Sequence, residues 1–264
     1  NMAITINTHM AAARASFQLT KNNDALQKSL NRLSSGSRIT KPADDAGGLA
    51  VAMKLKGSIN RLKGVEANVG NAISFLQVQD GILESSGKIL DRMAELKALS
   101  QDVLKNSSDI ANYNSEFRNL QVQLHQMAAT KFNGVSLFGG TEVFGSATTA
   151  SMKEIITSAD GSVKVSINQS LLLSALTINT SDTTAPSLGS AAYASADNST
   201  IYTFAATATS GAISLGAIDA AVYTKALENI ATLRSENGAS VSRLQFAEEA
   251  AQQRRTNLEA AHGR

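Results

Sequence analysis

No cysteine occurs among the 264 residues, which excludes disulfides, thiolate metal sites and cysteine nucleophiles together. Tryptophan is absent as well, proline occurs twice and aromatic residues make up 5%. So little bulky material cannot fill a stout globular core, and it suits long helices seamed by alanine and leucine. The three histidines stand apart at His9, His125 and His262, so neither a histidine zinc site nor a catalytic triad is expected. No apolar run approaches the roughly 18–20 residues that a membrane span needs. The opening Met2-Ala3-Ile4-Thr5-Ile6-Asn7 has none of the basic, apolar and small-residue regions of a secretory leader. On these tests alone the chain is expected to stay in the cytosol. A net charge of +2 is too mild to announce a nucleic-acid binder.

What is present is periodicity. Leu19, Leu26 and Leu33 recur every seven residues, with Leu30 four after Leu26, the spacing of a coiled-coil seam. A helix with that stripe needs a partner helix. Ser34-Ser35-Gly36-Ser37 breaks it, and Lys41 to Gly48 reads as a loop from its proline, aspartate pair and glycines. Leu55, Leu62, Val69, Leu76, Leu83 and Leu90 then repeat at sevens, and from Ile82 a second phase, Ile89, Leu96 and Val103 with Met93, takes over. Residues 50–104 are predicted as one helix about 80 Å long. After a polar break at 106–109, Tyr113, Phe117, Leu120, Leu124 and Met127 mark a shorter helix running back, and Asn133-Gly134 opens a hairpin.

Residues 141–222 change character, becoming rich in Ser, Thr, Ala and Gly. Ile155-Ile156-Thr157 and Val163 to Ile167 flank Asp160-Gly161 as two strands. Ile201 to Phe204 and Ile213 to Leu215 are predicted as further strands, with a loop from Thr180 to Ala185. Helical order returns from Tyr223, where Ile230, Leu244, Ala251 and Leu258 share one register beside Leu233 and Ala247. The returning helix can bury its stripe only on helices already laid down. Charge follows the same division: residues 1–64 carry ten Lys and Arg against three Asp, whereas 141–222 carry two Lys against six Asp and Glu.

Leu33 to Ile39, Pro42 to Ala50, Asn68-Val69-Gly70-Asn71-Ala72, Gln79-Asp80-Gly81, Phe132-Asn133-Gly134, Ala231 to Ala239 and Ser242 to Gln245 resemble, in the same order, motifs of the bacterial flagellins. The resemblance covers residues 3–140 and 222–262; it does not extend to 141–222, the part that varies among flagellins. It implies a structural subunit of the bacterial flagellar filament, exported through the flagellar type III apparatus without a cleaved leader and therefore extracellular. Its implied partners are other flagellin subunits, the flagellar cap and hook-junction proteins, and an export chaperone. The family ordinarily continues past Asn257-Leu258-Glu259-Ala260-Ala261 through a further segment that pairs with the N-terminal helix and holds the chaperone site. The resemblance also matches Arg92, Leu96 and Glu116 to a surface recognised by the innate receptor TLR5; read from the residues alone, these sit on a solvated helix face with one core leucine.

The expected fold is mainly α, an elongated antiparallel helical bundle or coiled-coil rod with a small β-rich insertion. Its expected segments are an N-terminal coiled-coil helix over 2–40, a rod with returning helix and hairpin over 41–140, a variable β-rich surface insertion over 141–222, and a C-terminal helix over 223–264. Leu19, Leu26, Leu30, Leu33, Leu55, Leu62, Val69 and Leu76 form the expected self-assembly seam, left unsatisfied until identical molecules come alongside. A hook–filament junction protein and a secreted adhesin or carbohydrate-binding surface protein are the alternatives. No enzyme is expected, no cofactor and no metal; Lys41 to Gly48 lacks the frame of a phosphate loop, and Asp44 and Asp45 read as turn and cap groups. Nor is membrane binding expected, because the basic N-terminal helix has a single aromatic anchor, Phe17. Nucleic-acid binding is not expected either, since no aromatics are interleaved with the charges.

Overall fold

In a computed structural model the described residues are 10–139, 144, 152–179, 187–188, 200–202, 205, 207–208 and 212–263. Five helices, α1 (Met10–Ser35), α2 (Ala46–Ser100), α3 (Ser107–Ala128), α4 (Leu172–Ala175) and α5 (Ala220–Gly263), account for most of them. The strands are short: β1 (Lys131–Phe132), β2 (Val135–Ser136), β3 (Met152–Ile156), β4 (Lys164–Asn168), β5 (Thr177–Asn179), β6 (Ser187–Leu188) and β7 (Thr200–Tyr202). They form two antiparallel pairs, β1–β2 and β3–β4, and a sheet of order β6-β5-β7. The fold is therefore mainly α with small sheets, as the sequence predicts. The chain divides into two compact units, residues 1–61 with 254–264, and residues 62–253. These limits differ from the four expected segments.

In the first unit α1 has no buried residue. It ends where Gly36 takes a φ of 62°, the left-handed position that glycine fills without steric cost after a helix. The following turn is organised by two neighbouring aspartates with separate tasks. Asp44 accepts hydrogen bonds from the Thr40 backbone and hydroxyl and pairs with Lys28 of α1 at 2.6 Å. The Lys28 hydrogen bond, followed by those from Thr40, holds its carboxyl down at about 2. Asp45 caps α2, accepting from the Gly48 N–H at 2.8 Å, so the helix starts four residues ahead of the predicted Ala50. A Cβ at Gly48 would lie 2.4 Å from Asp45 Oδ2 and 2.9 Å from Ile39 Cδ1. A side chain at that position would have to push the Asp45 carboxylate and the Ile39 methyl aside.

In the second unit the core residues of α2 are Leu62, Val65, Val69, Ala72, Leu76, Gln79, Leu83, Ser86, Leu90, Met93 and Lys97, spaced alternately three and four apart. That is one heptad register throughout. The predicted change of phase does not occur: Ile89 is only half-buried and Val103 is exposed, because α2 stops at Ser100 and Val103 falls in the turn beyond. Phe75 and Leu96 flank the seam and widen the buried face. Asn106 starts α3 with a capping box, its side chain accepting from the Asp109 N–H while the Asp109 carboxylate accepts from the Asn106 N–H. On α3, Phe117 and Leu124 are buried as predicted, but Tyr113, Leu120 and Met127 are half-buried and Gln121 takes a core position.

From α5, Ala226, Ile230, Leu233, Asn237, Leu244 and Ala251 continue the same periodicity. Asn237 donates to the Leu76 carbonyl at 2.8 Å, and Arg234, one turn earlier, grips Asp80, one turn later in α2, with two hydrogen bonds. These pairings run in opposite chain directions, so α2 and α5 are antiparallel.

The β3–β4 pair forms where the sequence predicts it. Gly161 takes a φ of 78° in the turn, and Asp160 accepts from both Ser158 and Ser162. Those bonds hold the Asp160 carboxyl down at about 2. The predicted strand at 201–204 is realised as β7 for its first two residues; the other two, like the predicted loop 180–185, lie outside the described residues. The predicted strand at 213–215 is absent, and residues Leu215–Ala217 form a 3-10 turn. Side chains, not a neighbouring strand, satisfy this backbone. Residues Leu171 to Leu176, with no sequence assignment, hold α4 and pack into the core.

Candidate assembly interface

Periodicity alone gives the eight seam positions one role; burial gives them two. Leu19, Leu26, Leu30 and Leu33 of α1 are 73%, 59%, 54% and 81% exposed. Leu55 is half-buried. Leu62, Val69 and Leu76 are enclosed by their own chain, which corrects the expectation that the whole seam stays unsatisfied in a single molecule. The physical difference is the helix opposite: in the 62–253 unit α5 supplies the complementary heptads, whereas α1 buries nothing. A contiguous apolar stripe of this kind on a helix marks an interaction surface. In the same unit a groove of about 390 Å³ lies between Arg38, Ile39, Val51, Leu55 and His262.

The second predicted surface also separates. The Arg92 guanidinium donates to both Glu116 oxygens, at 2.7 and 3.1 Å, and to Glu95 at 2.8 Å. Arg92 is thereby held even more firmly protonated, chiefly by the Glu116 bond. Both Arg92 and Glu116 have side chains 42% exposed, so the clasp fixes α3 against α2 while facing solvent. Leu96 is fully buried. It is the core leucine under this face and presents nothing to a partner.

A set of polar core residues went unread in the sequence. Gln121 donates to the Ile213 carbonyl at 2.8 Å and accepts from the Ile213 N–H at 3.0 Å, taking the place of a strand neighbour. Asn114 accepts from the Leu215 N–H, and buried Lys97 donates to the Leu215 carbonyl. Gln79 donates to the Leu137 carbonyl and Asn229 to the Ala175 carbonyl. Each reaches across to another segment's backbone, so the connections dock at one register only. For Gln79 and Asn237 a signal was available, since both fall at heptad core positions: Gln79 between Leu76 and Leu83, Asn237 seven residues from both Ile230 and Leu244. Burial lowers the His125 pKa and raises that of the Tyr223 hydroxyl. Among the described residues no cluster of His, Asp and Glu could hold a metal ion, and no helix is long and apolar enough to cross a membrane.

The family model described as the bacterial flagellin N-terminal helical region matches residues 6–143. The flagellin of Bacillus subtilis (strain 168) is 33% identical over 168 residues, which cover 62% of this chain and 55% of that protein. The flagellar filament 30.7 kDa core protein of Treponema maltophilum is 34% identical over 136 residues, covering 51% of this chain and 48% of that protein. The chain thus spans about half the length of the curated relatives it matches. Among solved structures, Bacillus cereus flagellin aligns with a TM-score of 0.46 at 19% identity, over 70% of this chain and 88% of that one. Since the family match takes in more than half of the residues, the chain belongs to the flagellin family.

Proposed function

We propose that the protein is a structural subunit of the bacterial flagellar filament, working by self-association and not by catalysis. The observation that carries this reading is α1: a helix of 26 residues with no buried side chain and four leucines in open solvent. Helices in proteins draw most of their stability from packing one face, and copies of the chain that bring heptad faces alongside give α1 the burial it lacks. Membership of the family supplies the polymer. Export through the flagellar type III apparatus, an extracellular location, and contacts with cap, hook-junction and export-chaperone proteins belong to the same proposal. The test is complementation of a flagellum-less strain by the full-length gene, with and without Leu19, Leu26, Leu30 and Leu33 changed together to serine. Long filaments from the parent and none from the variant are expected, with the variant's 62–253 unit still helical. Stubs confined to the hook end would point to a junction protein, and a surface protein without filaments to an adhesin.

For TLR5 we propose contact through Arg92 and Glu116, with Leu96 acting beneath them as packing. Purified monomer carrying Arg92→Ala is expected to lose receptor binding while keeping its helical content. Undiminished binding would remove this surface from consideration.

A further inference from the structure

We propose that Asn133-Gly134 is a site of spontaneous covalent modification, at which the asparagine amide is converted to aspartate and isoaspartate. This rests on the geometry of the hairpin tip and not on filament assembly. Phe132 pairs with Val135, leaving a two-residue loop. Asn133 and Gly134 have φ of 48° and 80°, the doubly left-handed turn for which Asn-Gly is the preferred pair. Among the described residues no hydrogen bond engages the Asn133 amide or the Gly134 N–H. Asn133 is exposed, and a Cβ built on Gly134 meets nothing within 4 Å. Nucleophile and electrophile are therefore adjacent in the chain, unengaged, and free of steric cover.

The Gly134 backbone nitrogen, having given its proton to hydroxide, attacks Asn133 Cγ. A new N–C bond closes a five-membered imide, the Cγ–Nδ2 bond breaks, and ammonia departs with a proton from water. A second water opens the imide at either carbonyl. The sum is one amide and one water giving one carboxylate and one ammonium ion, with no oxidant or reductant. Opening at one carbonyl leaves aspartate. Opening at the other sends the main chain through Cγ and adds an atom to a loop that has room for two residues.

The molecule contains its own control. Asn237-Gly238 has the same two residues, but it lies within α5, where Asn237 is 4% exposed and its amide is bonded to the Leu76 carbonyl. The consequences of reaction at the hairpin are local and specific. Asn133 lines a groove of about 580 Å³ with Lys153, Phe75, Phe132, Val135 and Ile155. A new negative charge thus enters the lining that Lys153 shares, and the isoaspartyl product disturbs the β1–β2 register.

The test is incubation of the folded chain in mildly alkaline buffer made with oxygen-18 water, followed by peptide mass spectrometry with isoaspartate-specific methylation. First-order conversion at Asn133 with one labelled oxygen is expected, while Asn237 stays amide until the chain is denatured and then reacts at a comparable rate. Replacing Asn133 with Gly, which keeps the turn's backbone freedom, is expected to abolish the label in that peptide. Lack of reaction at Asn133 in the folded chain, or equal rates at the two sites before denaturation, would overturn the proposal.

Discussion

Leu83→Ala is expected to destabilise the 62–253 unit by about 2–5 kcal/mol, the range for emptying a fully packed leucine site, whereas Leu26→Ala should leave the isolated chain's melting almost unchanged. Leu83 is fully enclosed and Leu26 is 59% exposed, although both are heptad leucines. Chemical denaturation followed by circular dichroism measures the first effect. The second residue should report instead in filament yield, where its truncation removes burial that only a neighbouring molecule supplies. Equal losses of stability for the two variants would contradict the division of the seam into an enclosed and an open part.

Gln121→Ala is the second change with a large effect. Its amide satisfies both backbone groups of Ile213, and Ile213 is itself buried. Losing the side chain strands a donor and an acceptor away from water, at about 1–3 kcal/mol each. Gln121→Glu gives a sharper reading. A carboxylate still accepts from the Ile213 N–H but faces the Ile213 carbonyl without a proton to offer, so folding favours the protonated acid and raises its pKa. The folded state then binds more protons than the unfolded one above the ordinary glutamate value of about 4.3. Stability of this variant should fall as pH rises through that value and recover in acid. Urea titrations of parent and variant across that window test the sign; a variant that gains stability with rising pH would exclude the proposed bonding at Ile213.

The long helices were legible because a seven-residue period survives any detail of packing: Leu62 to Leu90 in α2, and Ile230 to Ala251 in α5, lie where their spacing puts them. Which leucines find a partner inside the molecule was not legible, since spacing describes one helix and burial depends on its neighbour. Leu33 and Leu62 look alike in sequence. The strand predicted at 213–215 failed for a related reason: alternation around Ile213 and Leu215 describes an extended segment, while its hydrogen-bond partners are side chains on α2 and α3, more than ninety residues away. The clasp of Arg92 on Glu116 needs the turn between α2 and α3 to be known to the residue. The resemblance places Leu96 on a surface, whereas the residue pattern alone makes it the core leucine of a solvated face, and its full burial agrees with the second reading.

The capping box at Asn106 has a kinetic meaning as well. It starts α3 from local bonds alone, and the Arg92–Glu116 clasp then closes across 24 residues of chain, whereas Arg234 and Asp80 are 154 apart. By loop-closure entropy the longer span costs about 1.6 kcal/mol more. The α2–α3 reversal is thus expected to form first on refolding and the C-terminal helix to dock later, an order that pulsed hydrogen exchange reads directly.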